Sequence, residues 1–310
     1  MPSAESILTS LPKEGFFTFP QLPPLFVAQG SHTLRYLQAR TTQDFRTLQP
    51  GESRQAACLD SQGKIQALIT VQCLQREQEY LLIGDGGDSE DAAQAILQFR
   101  VTEQIALEPV PVETTVHIFG VSREQLAALK EQFGITYATP SMRTPYTGWD
   151  LLLTESNSDS VLAVLHEHYE EVSEETWKAM RITARRFHFP DEIQPGKTFL
   201  ESGLTSAYAV GKGCYPGQEV VERVLSRGKS PSLLLSYFVK GTRVEKGVSV
   251  FETPGNKNSE DERSLGQIIS MGAVPHQGGH CVAVRIRNTQ DTPPDTLYLT
   301  DGTPLELISS

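Results

Sequence analysis

Apolar and polar positions switch between helical and strand-like spacing several times along the chain. Leu34, Leu37 and Phe45 are spaced for a short helix and turn over 30–48. Apolar-rich runs at 55–60 and 64–74 predict two strands, joined by Asp60-Ser61-Gln62-Gly63, whose last residue suits a tight turn. Residues 79–84 read as a third strand. Ser89 is a candidate N-cap: Glu90 and Asp91 follow where the helix dipole favours acids, and Ala92, Ala93, Ile96 and Leu97 recur at helical spacing. Residues 114–121 predict a strand. Ser122-Arg123-Glu124-Gln125 matches a capping box, Leu126, Leu129 and Phe133 form the inward face of its helix, and Gly134 can end it. A strand at 149–154 and helices at 159–169 and 173–186 follow, the last with an i,i+4 pair of Glu174 and Lys178. Strands and helices in this order predict a split β-α-β arrangement, an α+β layer structure. Phe16, Phe17 and Phe19 are expected to dock the N-terminal segment onto the core.

Beyond Gly228 the pattern changes. Short β-rich segments at 232–239, 248–252, 265–271, 281–287 and 296–299 alternate with Gly, Pro and Asn turns, which predicts a small β-barrel or sandwich. The polar stretch 254–263 reads as a mobile loop within it. No internal repeat is visible. The chain therefore divides into a region at 1–227 and a β-rich region at 228–310.

At 310 residues the chain can hold two or three domains, and 38% hydrophobic with 21% charged residues fits a folded, soluble protein. The net charge is −11, and it is unevenly spread. The region from 228 onward carries 8 basic and 9 acidic residues, so the acidity lies in the first 227. General binding to nucleic acid or to an anionic membrane needs a positive field and is not expected. No apolar run approaches the roughly 20 residues that span a bilayer, and the N-terminus resembles neither a secretory signal nor a transit peptide. A cytoplasmic location is expected. Cys58, Cys73, Cys214 and Cys281 form no CxxC pair, so neither a disulfide scaffold nor a self-contained zinc or iron–sulfur site is predicted. Cys58 and Cys73 fall on strands and are expected in the core. His166 and His168 read as surface residues, and His276 and His280, in a Gly-rich turn, have no partner cluster. Gly84-Asp85-Gly86-Gly87 lacks the Gly-Lys-Ser/Thr of a phosphate loop and reads as a turn.

Chemistry concentrates at 211–219, Gly211-Lys212-Gly213-Cys214-Tyr215-Pro216-Gly217-Gln218-Glu219. Three glycines and a proline predict a tight, exposed backbone turn. Lys212 stands two residues from Cys214, and a nearby ammonium favours the thiolate, the nucleophilic and metal-binding form. Gln218 and Glu219 offer an amide and a carboxylate suited to the donor–acceptor edge of a heterocycle. The plainer alternative is a Gly-rich connector whose Cys is buried as a small hydrophobe.

Lys212 to Glu219 match the K-G-C-Y-x-G-Q-E signature of the YgfZ family at every fixed position, and the chain resembles that family. Residues 30–48 resemble the N-terminal block of the glycine-cleavage T-protein superfamily. Residues 199–204 resemble the P-x-E-x-G-L segment that precedes the signature. The resemblance implies a T-protein-like ring of two α+β lobes, one ferredoxin-like, plus a C-terminal β-barrel, around a folate pocket. It implies tetrahydrofolate as cofactor, a role in iron–sulfur cluster assembly or repair that supports radical-SAM tRNA-modifying enzymes, and iron–sulfur proteins or assembly factors as partners. Cys214 takes the functional thiol and a transient cluster ligand at most. Lys212, Gly213, Tyr215, Gly217, Gln218 and Glu219 match the signature, and Arg181, Glu201 and Arg223 join them as candidate folate contacts.

The sequence departs from its relatives in two places. T-proteins carry G-I-I-D-D-L where this chain reads Gly63-Lys64-Ile65-Gln66-Ala67-Leu68. Both carboxylates are gone, and an amide cannot take up a proton as a carboxylate does, so aminomethyl transfer by that route is disfavoured. The R-L-E-A-G common in T-proteins, of which YgfZ proteins often keep A-G-x-P, becomes Arg181-Ile182-Thr183-Ala184-Arg185, with Thr183 at a Glu that often contacts the pterin and Arg185 at the Gly. The change enriches a basic cluster of Arg181, Arg185, Arg186, Lys197, Lys212, Arg223 and Arg227. That cluster suits a polyglutamylated folate tail or another anion, or else is a solvated helix face. Two other functions stay open: a folate-dependent one-carbon transferase using Glu219 or Glu201 as acid–base group, and a non-catalytic scaffold.

Overall fold

A computed structural model describes residues 4–241, 244–254, 264–274, 277–289 and 292–308. Its elements run, in chain order, α1 (Ala4–Leu8), β1 (Gly15–Thr18), β2 (Leu25–Gln29), α2 (Thr33–Arg40), β3 (Ser53–Leu59), β4 (Ile65–Gln75), β5 (Glu79–Gly84), α3 (Ser89–Leu97), β6 (Ala106–Pro109), β7 (Thr114–Phe119), α4 (Arg123–Phe133), β8 (Tyr137–Ser141), β9 (Gly148–Leu153), α5 (Ser158–His168), α6 (Glu174–Thr183), α7 (Gln218–Arg227), β10 (Ser232–Lys240), β11 (Ser249–Val250), β12 (Gly266–Val274), β13 (Gly279–Arg287), β14 (Thr296–Tyr298) and β15 (Pro304–Leu307).

The first lobe is a five-stranded antiparallel sheet in the order β3-β4-β5-β2-β6. One face, with Ala56, Cys58, Ile69, Val71, Tyr80 and Leu82, buries the apolar sides of α2 and α3. The other face presents Leu25, Val27, Leu81 and Ile83 to Leu152 of β9, so both faces are covered and the strands are apolar throughout. The second lobe is the sheet β1-β7-β9-β8. Strand β9 pairs antiparallel with both β7 and β8, which makes β7-α4-β8 the split β-α-β unit that the spacing predicts. Helices α4 and α5 cover one face through Leu126, Val161 and Leu165. The capping box forms, with Ser122 Oγ accepting from Gln125 N, and Gly134 ends α4 in the left-handed region at φ 61°.

The third part is the six-stranded barrel sheet β11-β12-β13-β10-β15-β14. Along β10, Leu235, Tyr237 and Val239 point into the barrel. Leu234 and Phe238 point out and belong to a different cluster, with Trp177, Met180 and Ile182 of α6. Strand β12 lies so close to α6 that a Cβ on Gly272 would overlap the Ala179 N and the Glu175 carbonyl. The amphipathic α6 is thus the axle on which the barrel meets the lobes.

Several expectations shift in detail. The N-cap of α3 is Asp88, not Ser89: its carboxylate accepts from Glu90 N and Asp91 N. Helix α6 stops at Thr183, because Arg185 takes a left-handed backbone (φ 53°). Phe16 and Phe17 are buried as predicted, yet they do so as strand β1, with Phe17 stacked on Trp177 at 4.6 Å. Cys58 and Cys73 lie in the core. The polar stretch from 255 to 263, His276 and the Arg227 side chain lie outside the described residues.

Candidate functional site

A cavity of about 760 Å³ opens where the two lobes, the end of α6 and the segment 203–206 meet. Its walls come from β3, from β8 and the turn after it, and from 184–188. Five arginines line it: Arg54, Arg143, Arg181, Arg185 and Arg186, against one carboxylate, Asp85. Arg143 is buried and donates to Asp85 Oδ1 (2.7 Å) and to both oxygens of Asp150 (3.1 and 3.0 Å). Asp85 Oδ2 also accepts from Phe189 N at 2.8 Å. Asp150 is further held by His117, whose Nδ1 donates at 2.7 Å, since an ionised carboxylate can only accept. Burial pushes the His117 pKa down despite Asp150, which keeps the ring neutral. Burial alone would raise the Asp150 pKa, but Arg143 and His117 outweigh it and hold the carboxylate ionised.

Arg181 is matched by Glu192, at 3.0 and 3.3 Å. Glu192 is wholly buried; burial would raise its pKa, but Arg181 and donors from Ser270 and the His188 N–H bring it below the ordinary carboxylate value. Among the described residues the other three arginines form no ion pair with a carboxylate. Arg54 donates to the Asp44 carbonyl and to Thr47 Oγ1, and Arg185 to the Ile308 carbonyl at 3.0 Å. The Arg186 guanidinium has no hydrogen bond or ion pair among the described residues. A chain that is acidic overall thus surrounds this cavity with a local cationic excess, and low-dielectric walls focus such a field.

The signature segment stands beside this cavity and does not line it. Cys214 is exposed, which disposes of the buried-connector alternative. Lys212 turns inward: it is 4% exposed, and its Nζ donates to the carbonyls of Gln38, Thr41 and Gln43 (the last at 3.0 Å). These are orphan carbonyls at and after the C-terminal end of α2, where a cation also opposes the helix dipole. The ammonium is therefore committed to main-chain oxygens rather than to Cys214. Burial lowers its pKa to about 8. Tyr215 is buried under it, 5.1 Å from Nζ to the ring centroid. Gly217 has φ 78°, and a Cβ there would stand 2.5 Å from the Asp60 carbonyl and 2.8 Å from Gly63 Cα. Only a glycine lets the segment seat on that turn before α7 begins.

The remaining sequence-predicted residues serve this scaffold. Gln218 opens α7, and a Cβ on Gly213 would point into open space. Glu219 and Arg223 pair across one turn on the exposed face of α7 at 2.7 Å. Glu201 forms a capping box with Thr198 and accepts from Ser232 Oγ at 2.7 Å, which ties the pre-signature segment to the barrel. Of the proposed folate contacts, Arg181 alone lies in the cavity wall. Gln66 and Ala67 sit elsewhere, Gln66 accepting from Arg40 at 2.8 Å and Ala67 buried under the helices. Thr183 is buried, with Oγ1 donating to the Ala179 carbonyl at 2.7 Å and accepting from the Cys281 thiol at 3.1 Å. The Asp85–Arg143–Asp150–His117 network escaped the sequence reading. Its members are scattered over 65 positions, and the only local cue was a charge on predicted strand 149–154. Among the described residues no cluster of His, Cys, Asp and Glu could hold a metal, and no helix is long and apolar enough to cross a membrane.

No family model matches the chain. The structure superposes on the glycine cleavage system aminomethyltransferase T of Bartonella henselae with a TM-score of 0.79, covering 99% of this chain and 88% of that one at 16% identity. Two lobes and a barrel around a central cavity therefore have the glycine-cleavage T-protein fold. In sequence the chain is 23% identical over 252 residues to the tRNA-modifying protein YgfZ of Vibrio atlanticus, spanning 77% of this chain and 72% of the relative. With the signature at 212–219, the chain is a YgfZ-like protein.

Proposed function

We propose that this protein binds a reduced folate, tetrahydrofolate, in the cavity between its lobes and acts with it in iron–sulfur cluster assembly or repair. The observation that carries the proposal is the cavity itself. It has the size of a small-molecule site, a cationic lining in an acidic chain, and one buried carboxylate for a donor-bearing ring. Folate has both kinds of end, an amino-bearing pterin and an anionic glutamate. Cys214, exposed on a loop that Lys212 ties to the end of α2, is the functional thiol. Lys212, Tyr215 and Gly217 hold that loop, Gly213, Gln218, Glu219 and Arg223 flank it on the same loop and on α7, and buried Glu201 fastens the preceding segment to the barrel. The similarity to a protein named as tRNA-modifying supports a link to tRNA modification. We place that role in the cytoplasm, in service to radical-SAM tRNA-modifying enzymes, with iron–sulfur proteins or assembly factors as partners rather than nucleic acid or membrane.

Calorimetric titration with tetrahydrofolate tests the cavity. Micromolar binding, about −8 kcal/mol, weakened by Arg181→Ala, is the expected result. No heat up to millimolar ligand would remove folate from the proposal and favour a scaffold role. For the thiol, Cys214→Ser should fold normally and fail to complement a strain lacking the protein. Full complementation would take the role from Cys214.

A further inference from the structure

A second cavity, of about 530 Å³, lies where the barrel meets the segment between α6 and the signature, and it shares no lining residue with the cavity between the lobes. Its barrel wall follows from strand register. Ser249 of β11, Gln267 of β12 and Arg285 of β13 stand opposite one another, and Arg287 of β13 stands opposite Ser232 of β10. Opposed residues share a face of a sheet, as do residues two apart on one strand. Arg285 is also opposite Leu234, which points out of the barrel, so this polar strip lies on the outer face. Lys197 and Glu201 reach it from the lobe side.

Arg285 is 7% exposed and forms no ion pair among the described residues. Its Nη1 and Nη2 donate to the carbonyls of Glu201 (3.3 Å) and Glu192 (2.9 Å), and its Nε–H finds no acceptor among the described residues. The two carbonyls fix the guanidinium in place and leave its charge uncancelled, whereas a buried charge is ordinarily paired. Burial lowers the Arg285 pKa, and Glu201 only partly opposes this. Glu201 is the one carboxylate in the lining, and it is taken up by Thr198 and Ser232. The Lys197 ammonium makes no hydrogen bond or ion pair among the described residues, and Arg287, exposed, donates to the Ser264 carbonyl at 2.5 Å. Three cations against one carboxylate give the lining a net charge of +2.

We infer that this cavity binds a phosphate group in its dianionic form, carried by a small phosphomonoester or free in solution. A phosphomonoester bears about two negative charges at pH 7, which the lining matches, while a phosphodiester or a carboxylate bears one. Guanidinium forks fit phosphate oxygens in pairs, and the Ser249 hydroxyl and Gln267 amide add neutral donors on the same strip. The volume leaves room for the organic part of an ester. None of this depends on folate binding between the lobes.

Calorimetric titration of the full chain with ribose 5-phosphate and with inorganic phosphate, in a buffer free of other phosphate and of sulfate, tests the inference. Both should bind, and dimethyl phosphate, a singly charged diester, should bind on the order of tenfold more weakly. Tighter binding of ribose 5-phosphate assigns the site to an ester, and equal binding assigns it to the free ion. Arg287→Gln and Lys197→Gln should each weaken binding about tenfold, as loss of one charge-assisted contact implies. Arg285→Gln should abolish it. Arg285 also fastens the barrel to 192–201, so if that variant fails to fold, the Arg287 and Lys197 variants still decide. No heat with either probe up to millimolar concentration would overturn the inference. So would binding that Arg186→Gln weakens and that Arg287→Gln and Lys197→Gln leave untouched, since the phosphate would then sit between the lobes.

Discussion

A lysine next to a cysteine in sequence suggests an activated thiol, and the side chain does something else. Lys212 closes the end of α2 through three carbonyls and so fixes where Cys214 emerges. Replacing it by Met leaves those carbonyls buried without a donor, and should cost about 3 kcal/mol in denaturant unfolding. Amide exchange at 211–215 should rise with it. Glu192 gives a prediction in pH. Its folded pKa lies below its ordinary value, so the unfolded chain binds the proton first as pH falls. Its stabilisation is present above the usual carboxylate range and is lost on acidification through that range. Glu192→Gln should therefore be less stable at pH 7, with a flatter dependence between roughly pH 5 and 3. Urea midpoints at pH 7, 5 and 4 check this, and parallel curves for the two proteins would refute it.

Among the elements, α6 and the signature turn depend on backbone approach more than on side chains. Gly217 seats the turn against 60–63, and Gly272 lets β12 lie on α6. Gly217→Ala combines a left-handed φ with a 2.5 Å overlap on backbone, and should cost about 1–3 kcal/mol while moving Cys214. A rise in the rate of thiol labelling at Cys214, with far-UV dichroism unchanged, would report that displacement. Ser122→Ala removes a capping box that touches nothing functional, and should cost about 1 kcal/mol without altering labelling.

For the whole molecule, the lobes are joined by apolar contact at Leu25, Val27 and Leu152 and by one charged network. Arg143 reaches from the second lobe to Asp85 in the first and to Asp150 in its own. Arg143→Leu leaves two buried carboxylates without their cation and should destabilise by about 3–5 kcal/mol. Because Asp85 also lines the cavity, folate binding measured calorimetrically should weaken in the same variant.

Much of this architecture was legible in the chain itself. Short apolar-rich runs, the Ser122 capping box and the change of pattern after Gly228 are local features, governed by backbone sterics and the face each element must bury. They mark β3, β4, β5, β7, α4, α6 and the barrel strands. The exposed Cys214 loop follows from its glycines in the same way. The strands β1, β2, β6 and β8 were not legible. Each is short; β1, β2 and β6 are stabilised by partners far along the chain, as β1 is by β7, and β8 by a hairpin with β9, and local pattern carries no record of that pairing. Partnership was the other hidden quantity. Whether Lys212, Arg181 and Glu201 meet a ligand or the protein's own oxygens depends on what folding brings within 3 Å of them. Residue type and spacing determined that arginines would crowd the end of α6. Only the tertiary structure brought Arg54 and Arg143 to the same cavity and, by placing Glu192 opposite Arg181 and Asp85 and Asp150 opposite Arg143, decided which guanidinia meet a carboxylate among the described residues.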